Sequence, residues 1–463
     1  MTERRTYPTP TDSIPTHPVR EWEQHVYNFL DEPIPPAVHE RGERVVADVL
    51  AATVAGMGAE TNATVALDAV FGDGPATLLG TGRCVPVETA ALVHTAAAIT
   101  PEVEEGHTTG GHVGASIVAG ALGVAEASDL DGAAFVDACV RSYEVCTRLE
   151  RAIFGMKARM NEALPWLVRN PHSTWTTVGP ALTSALCLGL DRDALCETFR
   201  VAANLAVVSM FDPYAEGAPA RNFTAGFSAQ AGVSAALAAA AGLRGSAAAI
   251  GEVYDPFDAE GEFTADMTTL GERWEVAENY FKPYPSCRYT HAPLDALRAA
   301  VDGVELEPSA VEQVDVYTYR NGVDMAHSSP QTMTGAKFST PYVVARYLAS
   351  GSVDADHFGP EAVEETAVQR LADRVSLHVD EAFEERFPEA WGARVEVTTA
   401  DGEQYTGSRQ YPRGDYRDPL SAEEWRERTR GLLALVGAES TVAALETVGD
   451  RPVARTVSIL NEQ

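Results

Sequence analysis

Lysine is almost missing from this chain. Of 35 basic residues in a total of 463, only Lys157, Lys282 and Lys337 are lysines, and all the others are arginine. Asp and Glu number 67, giving a formal charge of −32. No basic stripe is available to neutralise phosphates, which argues against a nucleic-acid partner and, equally, against an anionic membrane surface. The six cysteines, Cys84, Cys139, Cys146, Cys187, Cys196 and Cys287, contain no C-x-x-C pair. Most sit in apolar helical contexts, so free buried thiols are expected rather than disulfides, zinc ligands or an iron–sulfur cluster. Long apolar runs are also lacking. The segment AQAGVSAALAAAAGLRG is Ala-dominated and interrupted by Gln230 and Ser234, so it reads as a buried helix rather than a membrane span. The N-terminal MTERRTYPTPTDSIPTHP has no apolar signal core, and its prolines favour an extended lead-in. A cytoplasmic protein is expected.

What is present is a normal folding complement. With 45% apolar residues the chain is no disordered polyanion but a folded protein with an acidic surface, and its length suggests two or three domains. Dense carboxylates with arginine in place of lysine suggest a halophilic habitat, where the Debye length falls to roughly 3 Å at 1 M salt and self-repulsion is screened.

From about residue 36 to 275 apolar residues recur at three- and four-residue intervals, as in VHERGERVVADVLAATVAGMG and GASIVAGALGVAEASDL, and predict helices. The character changes near Lys282. Val311 to Tyr319 alternates like a half-buried strand, and 393–410 reads as a hairpin with Asp401-Gly402 as a two-residue turn. Ser421-Ala422-Glu423-Glu424 is a capping box opening a further helix. The expected fold is mainly α with an α+β lid. An all-helical domain is formed by residues 1–275 together with 418–463, and a smaller α/β domain spans 276–417.

Three stretches carry candidate chemistry. EVEEGHTTGGHVG (102–114) sets three carboxylates and two imidazoles among four glycines. It reads as an acidic loop between helices, as a metal site drawn from Glu102, Glu105, His107 and His112, or as an acid–base site with a carboxylate holding a histidine tautomer. The spacing of the two histidines and the intervening glycines count against the metal. KPYPSCRYTH (282–291) places Lys282, Cys287, Arg288 and His291 in a Pro-stiffened loop leading into a helix. In a chain with three lysines, one retained beside Cys, Arg and His points to a chemical task, and the same scarcity singles out Lys337 in AKFSTPY, at a helix start. Arg221, in RNFTAG, begins the Ala-rich helix, where it can receive a carboxylate from a ligand or form a structural salt bridge. His172 reads as part of a helix cap, and Lys157 has no constellation around it.

Together these blocks resemble the MmgE/PrpD family over nearly the whole chain. EVEEGHTTGGHVGASIVAGALGVAE is similar to the family's acidic-pair, His, His-Pro-Gly block; RNFTAGFSAQAGVSAALAAA to its Lys-Arg or Lys-Asn block; KPYPSCRYTHAPLDAL to its Lys-x-x-Pro-Ser-Cys block. AKFSTPYVVARYL and DPLSAEEWRER look like later landmarks. The resemblance implies a homodimer that acts without a cofactor on small polycarboxylates, as 2-methylcitrate dehydratase, cis-aconitate decarboxylase or iminodisuccinate epimerase do. By position, Glu102 falls where a catalytic Asp stands, and His112 and Lys282 match a catalytic His and Lys. Resemblance and chemistry together nominate Glu102, His107, His112, Lys282 and Cys287 as catalytic. Arg221, Arg288, His291 and Lys337 are nominated as substrate-binding, with no metal. Arg221 replaces the usual Lys, Val113 the Pro of His-Pro-Gly, Gly106 a Thr of the decarboxylases and Cys287 their His. Cys287 weighs against decarboxylation, and Arg for Lys and Glu for Asp keep a non-catalytic polycarboxylate binder as a rival; dehydration is the expected reaction, with epimerisation or decarboxylation as the alternatives among enzymes.

Overall fold

The computed structural model describes residues 21–59, 72–109, 111–163, 169–170, 173–205, 209–210, 217–218, 220–246, 250, 254 and 256–462. The N-terminal lead-in and His172 lie outside them. The fold is mainly helical with a smaller α/β part. The first long helix, Pro36–Met57, opens with proline at its first position, where the missing N–H costs nothing. The helix Val87–Ile99 is mostly apolar or small, with Glu88 and His94 as exceptions, and is buried over most of its length, as a helix with so little polar face must be. The Ala-rich helix Ala220–Ala240 lies between it and the helix Ser173–Cys187. Small side chains allow this: a Cβ on Gly226 would stand 2.4 Å from the Leu92 carbonyl oxygen. The close approach brings the start of one helix beside the end of the other, where Asn222 Nδ2 donates to Thr100 Oγ1 at 3.0 Å.

Among the described residues, three two-residue ladders cross the helical region, which the periodicity does not announce: 76–77 with 84–85, 169–170 with 209–210, and 106–107 with 279–280. The α/β part holds a four-stranded sheet in the order Gln404–Arg409, Ala393–Thr399, Val311–Thr318, Val375–Val379, with the last pair parallel. Strand 393–399 alternates buried and half-buried residues, as its sequence predicts. Its hairpin differs from the two-residue turn expected. Gly402 N–H bonds to Thr399 O at 2.9 Å and Thr399 N–H to Glu403 O at 3.0 Å, while Gly402 adopts a φ of 88°. The loop is therefore the three residues 400–402, a type I turn closed by a left-handed glycine.

One apolar core gathers residues from Trp22 to Phe281 and resumes from Leu420 to Leu460; a second runs from Tyr284 to Val397. The capping box at Ser421 forms as expected and starts the helix Ala422–Ala434. Trp425 on that helix donates its indole N–H to Asp48 on Pro36–Met57 at 2.8 Å, joining the two ends of the chain. All six cysteines are free, and Cys84 is exposed rather than buried. Among the described residues, no helix is long and apolar enough to cross a membrane.

Candidate active site

Helix Val87–Ile99 ends at Thr100-Pro101, where proline offers no N–H to extend the ladder. Glu102 follows in the left-handed region, φ 55°, a conformation that an unbranched residue adopts at a cost of order 1 kcal/mol when its surroundings fix it. They do so here: its carboxylate pairs with Arg221 on one oxygen and, at 3.0 Å, with Lys282 Nζ on the other. Burial alone would raise the pKa of Glu102, but the two cations outweigh it and hold the group well below the usual carboxylate range.

The segment is then fastened to the loop that carries Lys282. Gly106 and His107 pair antiparallel with Tyr280 and Asn279, two residues ahead of the lysine. A Cβ on Gly106 would sit 2.4 Å from the Tyr280 hydroxyl, so the tyrosine ring occupies the space a Thr would need. Glu105 closes the loop from behind: its carboxylate accepts from Gly114 N–H at 2.8 Å, Tyr143 Oη at 2.9 Å and Asn279 Nδ2 at 3.1 Å. Burial pushes Glu105 up to about 7, against the pull of those donors.

On the near side stands Glu104, fully buried, with one oxygen 2.9 Å from His112 Nδ1 and the other 3.8 Å from Lys282 Nζ. His112 keeps a fifth of its side chain exposed. It precedes a π-turn, Ala115–Ala119, that leads into the helix Gly120–Ala127, an irregularity that recurs at functional sites. Lys337, at the end of the short helix Met333–Lys337 rather than at a helix start, points its ammonium at the carbonyls of Thr100 (3.3 Å) and Pro101 (2.5 Å). Burial lowers it to about 8, opposed by Glu102 and Glu104 and assisted by Lys282 and Arg221. Arg221 stacks on Phe338 at 4.6 Å and donates to Asn222 Oδ1 at 3.0 Å. The partly buried Cys287 thiol is pushed up to about 12, first by burial and then by the Glu102 charge, so it stays protonated.

Glu102, His112, Lys282, Arg221 and Lys337 thus converge, with Cys287 beside them. The other three nominated residues serve neighbouring networks. His107 is buried against Glu275, 3.4 Å from Nε2, and accepts the Thr109 N–H at Nδ1, 3.2 Å. Burial, helped by nearby arginines, pushes it down to about 3 against the pull of Glu275, so it is neutral with the proton on Nε2. His291 receives Arg288 at Nδ1, 3.2 Å, and gives its Nε2 proton to Ser286 O, 3.1 Å. Arg288 spends further donors on the carbonyls of Arg413 (3.0 Å) and Pro412 (3.3 Å) and lies 4.2 Å over the Tyr280 ring. Sequence reasoning passed over Glu104. The signal was the triple-acid run itself: residues two apart can share a face where the chain is extended, so Glu104 was as well placed as Glu102 to meet a partner.

Glu102, Glu104 and His112 offer ligand atoms within 4.8 Å of one another, while Glu105 and His107, half of the metal set read from sequence, have their own partners. A divalent cation in that triangle would meet Lys282 within 3.0 Å of the same Glu102 carboxylate, with Arg221 on its other oxygen. Charge repulsion makes the set a poor cation site.

The MmgE/PrpD N-terminal domain model matches residues 24–258 and the MmgE/PrpD C-terminal domain model residues 284–450. A cis-aconitate decarboxylase of Mus musculus is 25% identical over 302 residues, 61% of this chain and 59% of that protein's own length. The chain belongs to the MmgE/PrpD family.

Proposed function

We propose that this MmgE/PrpD chain is a cofactor-independent lyase that dehydrates a small hydroxy-polycarboxylate of the 2-methylcitrate type. One observation carries the reading. Three buried cations, Arg221, Lys282 and Lys337, stand around two buried carboxylates, Glu102 and Glu104, next to a partly exposed histidine whose Nδ1 faces one of those carboxylates. The surplus positive charge suits an anionic substrate, and fixed cations stabilise charge that builds on a carboxylate when the adjacent carbon loses a proton.

In this reading Glu104 holds the His112 ring through Nδ1, and Nε2 takes the proton from the carbon beside a substrate carboxylate. The electron pair left behind forms the double bond as the C–O bond of the neighbouring carbon breaks, and Lys282 protonates the departing hydroxide. Water is lost and the enzyme returns to its starting state after proton exchange with solvent. Arg221 balances Glu102, which in turn aims Lys282.

A specific observation favours epimerisation as a second reading: Lys337, lowered to about 8, is a second group able to exchange a proton near neutral pH, so a proton removed by His112 can be returned from another direction. The decarboxylase relative supports the wider lyase class, and Cys287 and Gly106 argue against decarboxylation here. We further propose the two-body division into 1–275 with 418–463 and 276–417. It is supported by a core that reaches Phe281 and resumes at Leu420. We also propose a homodimer, which the resemblance implies, and a cytoplasmic location.

The test is to incubate purified protein, in high salt and with a chelator, with a panel of hydroxy-polycarboxylates. Ultraviolet absorbance reads unsaturated product, and deuterium incorporation reads proton abstraction. A new double bond supports the dehydratase; exchange with inversion supports the epimerase; binding with neither overturns both in favour of a binder.

A further inference from the structure

Arg428 lies far along the chain from the candidate site, on the helix Ala422–Ala434, yet its guanidinium reaches both segments that build it. Nε donates to the Lys282 carbonyl at 3.0 Å, and one terminal nitrogen donates to the Val103 carbonyl at 2.9 Å. Val103 is the residue between Glu102 and Glu104. The same terminal nitrogen lies 2.8 Å from Asp48 Oδ1, and that oxygen also accepts the Trp425 indole N–H at 2.8 Å. Asp48 is fully buried, and burial raises its pKa while Arg428 and Trp425 pull the other way. One planar cation, oriented by a buried carboxylate, therefore holds the backbone of the acidic pair and the backbone of the lysine at a fixed separation. A planar fork can do this and an ammonium cannot, because only the guanidinium offers several donors in fixed directions.

We infer that Arg428, oriented by Asp48, is a positioning residue for the candidate site: it sets the distance between Glu102, Glu104 and Lys282 without touching substrate. The inference rests on the lyase reading only for its kinetic arm. Arg428 also lines a cavity of about 770 Å³ together with Pro283, Tyr284, Arg298 and Leu420, which gives a small cation access to the guanidinium position.

The experiment uses full-length Arg428→Ala, Arg428→Lys and Asp48→Asn. In Arg428→Ala, kcat should fall by about tenfold to about a hundredfold with KM altered less than about threefold, the pattern of misplaced catalytic groups rather than lost binding. Millimolar guanidinium should restore part of kcat, and Arg428→Lys and Asp48→Asn should be intermediate. Amide hydrogen exchange should rise in peptides covering 100–107 and 280–287 and stay unchanged in the hairpin 393–409. Unchanged exchange in the two site peptides, an equal rise in the hairpin, or wild-type kcat in Arg428→Ala would each overturn the positioning role. If the wild-type protein turns over none of the panel acids, the lyase reading fails, and the exchange pattern alone then decides the positioning role.

Discussion

Lys282 Nζ lies 3.0 Å from a Glu102 carboxylate oxygen and 3.8 Å from one of Glu104, with no exposure of its own. It is one of three lysines in a chain that uses arginine almost everywhere, and it sits where a compact ammonium can face two carboxylates at once. A guanidinium is wider, planar and unable to give up its proton. Lys282→Arg should therefore keep the charge and lose most turnover, much as Lys282→Ala does. Arg221→Lys keeps a cation against Glu102 but gives up the stack on Phe338 and the bond to Asn222, and should lose less turnover than Lys282→Arg. Steady-state kinetics on the three variants, with ligand binding alongside, checks this, and near-normal kcat in Lys282→Arg would reduce the lysine to an electrostatic anchor.

The His112 and Glu104 contact, 2.9 Å, predicts an order of effects. His112→Ala should abolish exchange of the carbon-bound proton, and Glu104→Gln should slow it by about a hundredfold, within the usual range for a general base and its partner. His107→Ala should be milder on exchange, because that ring is engaged with Glu275 and Thr109. Deuterium incorporation measured by NMR distinguishes them. A His107 effect larger than the His112 effect would reverse the roles.

Glu150 gives a pH prediction. It is buried, bonded by the Thr109 hydroxyl at 3.1 Å, and burial pushes it up to about 8, above its value in an unfolded chain. A raised folded-state value means that the native form binds the proton more tightly. The stabilisation is full below the unfolded value, near 4.5, and is lost as pH rises through about 8. Glu150→Gln should remove that loss, so its Tm relative to wild type should climb between about pH 5 and about pH 8 and level off above it. Thermal melts across that range test it, and parallel Tm curves for the two proteins would refute it.

The charge of −32 gives a salt prediction. Raising KCl from about 0.1 M to about 2 M shortens the screening length severalfold and should raise Tm. Calorimetry reads the shift, and a Tm that falls with salt would contradict the high-salt adaptation inferred from composition.

Helix periodicity, the capping box at Ser421, the alternation in 311–319 and the order of the family blocks all rest on local pattern, so the mainly helical fold with its α/β part was determined by the sequence itself. Lys282 was singled out there too, because scarcity is a property of composition, and its place between Glu102 and Glu104 came from the fold. Which imidazole stands at the candidate site was not so determined. His107 and His112 are five residues apart in one glycine-rich run. Only the ladder from Gly106–His107 to Asn279–Tyr280 turns the first toward Glu275, and only the burial of Glu104 gives the second its partner. Likewise Arg288 and His291 read as ligands for an anion until the 412–413 carbonyls and Ser286 claim their donors. Tertiary structure decided these cases because a buried charge or imidazole must find its partner in space, and those partners lie far along the chain, 325 residues between Arg428 and Val103 and 377 between Trp425 and the buried Asp48.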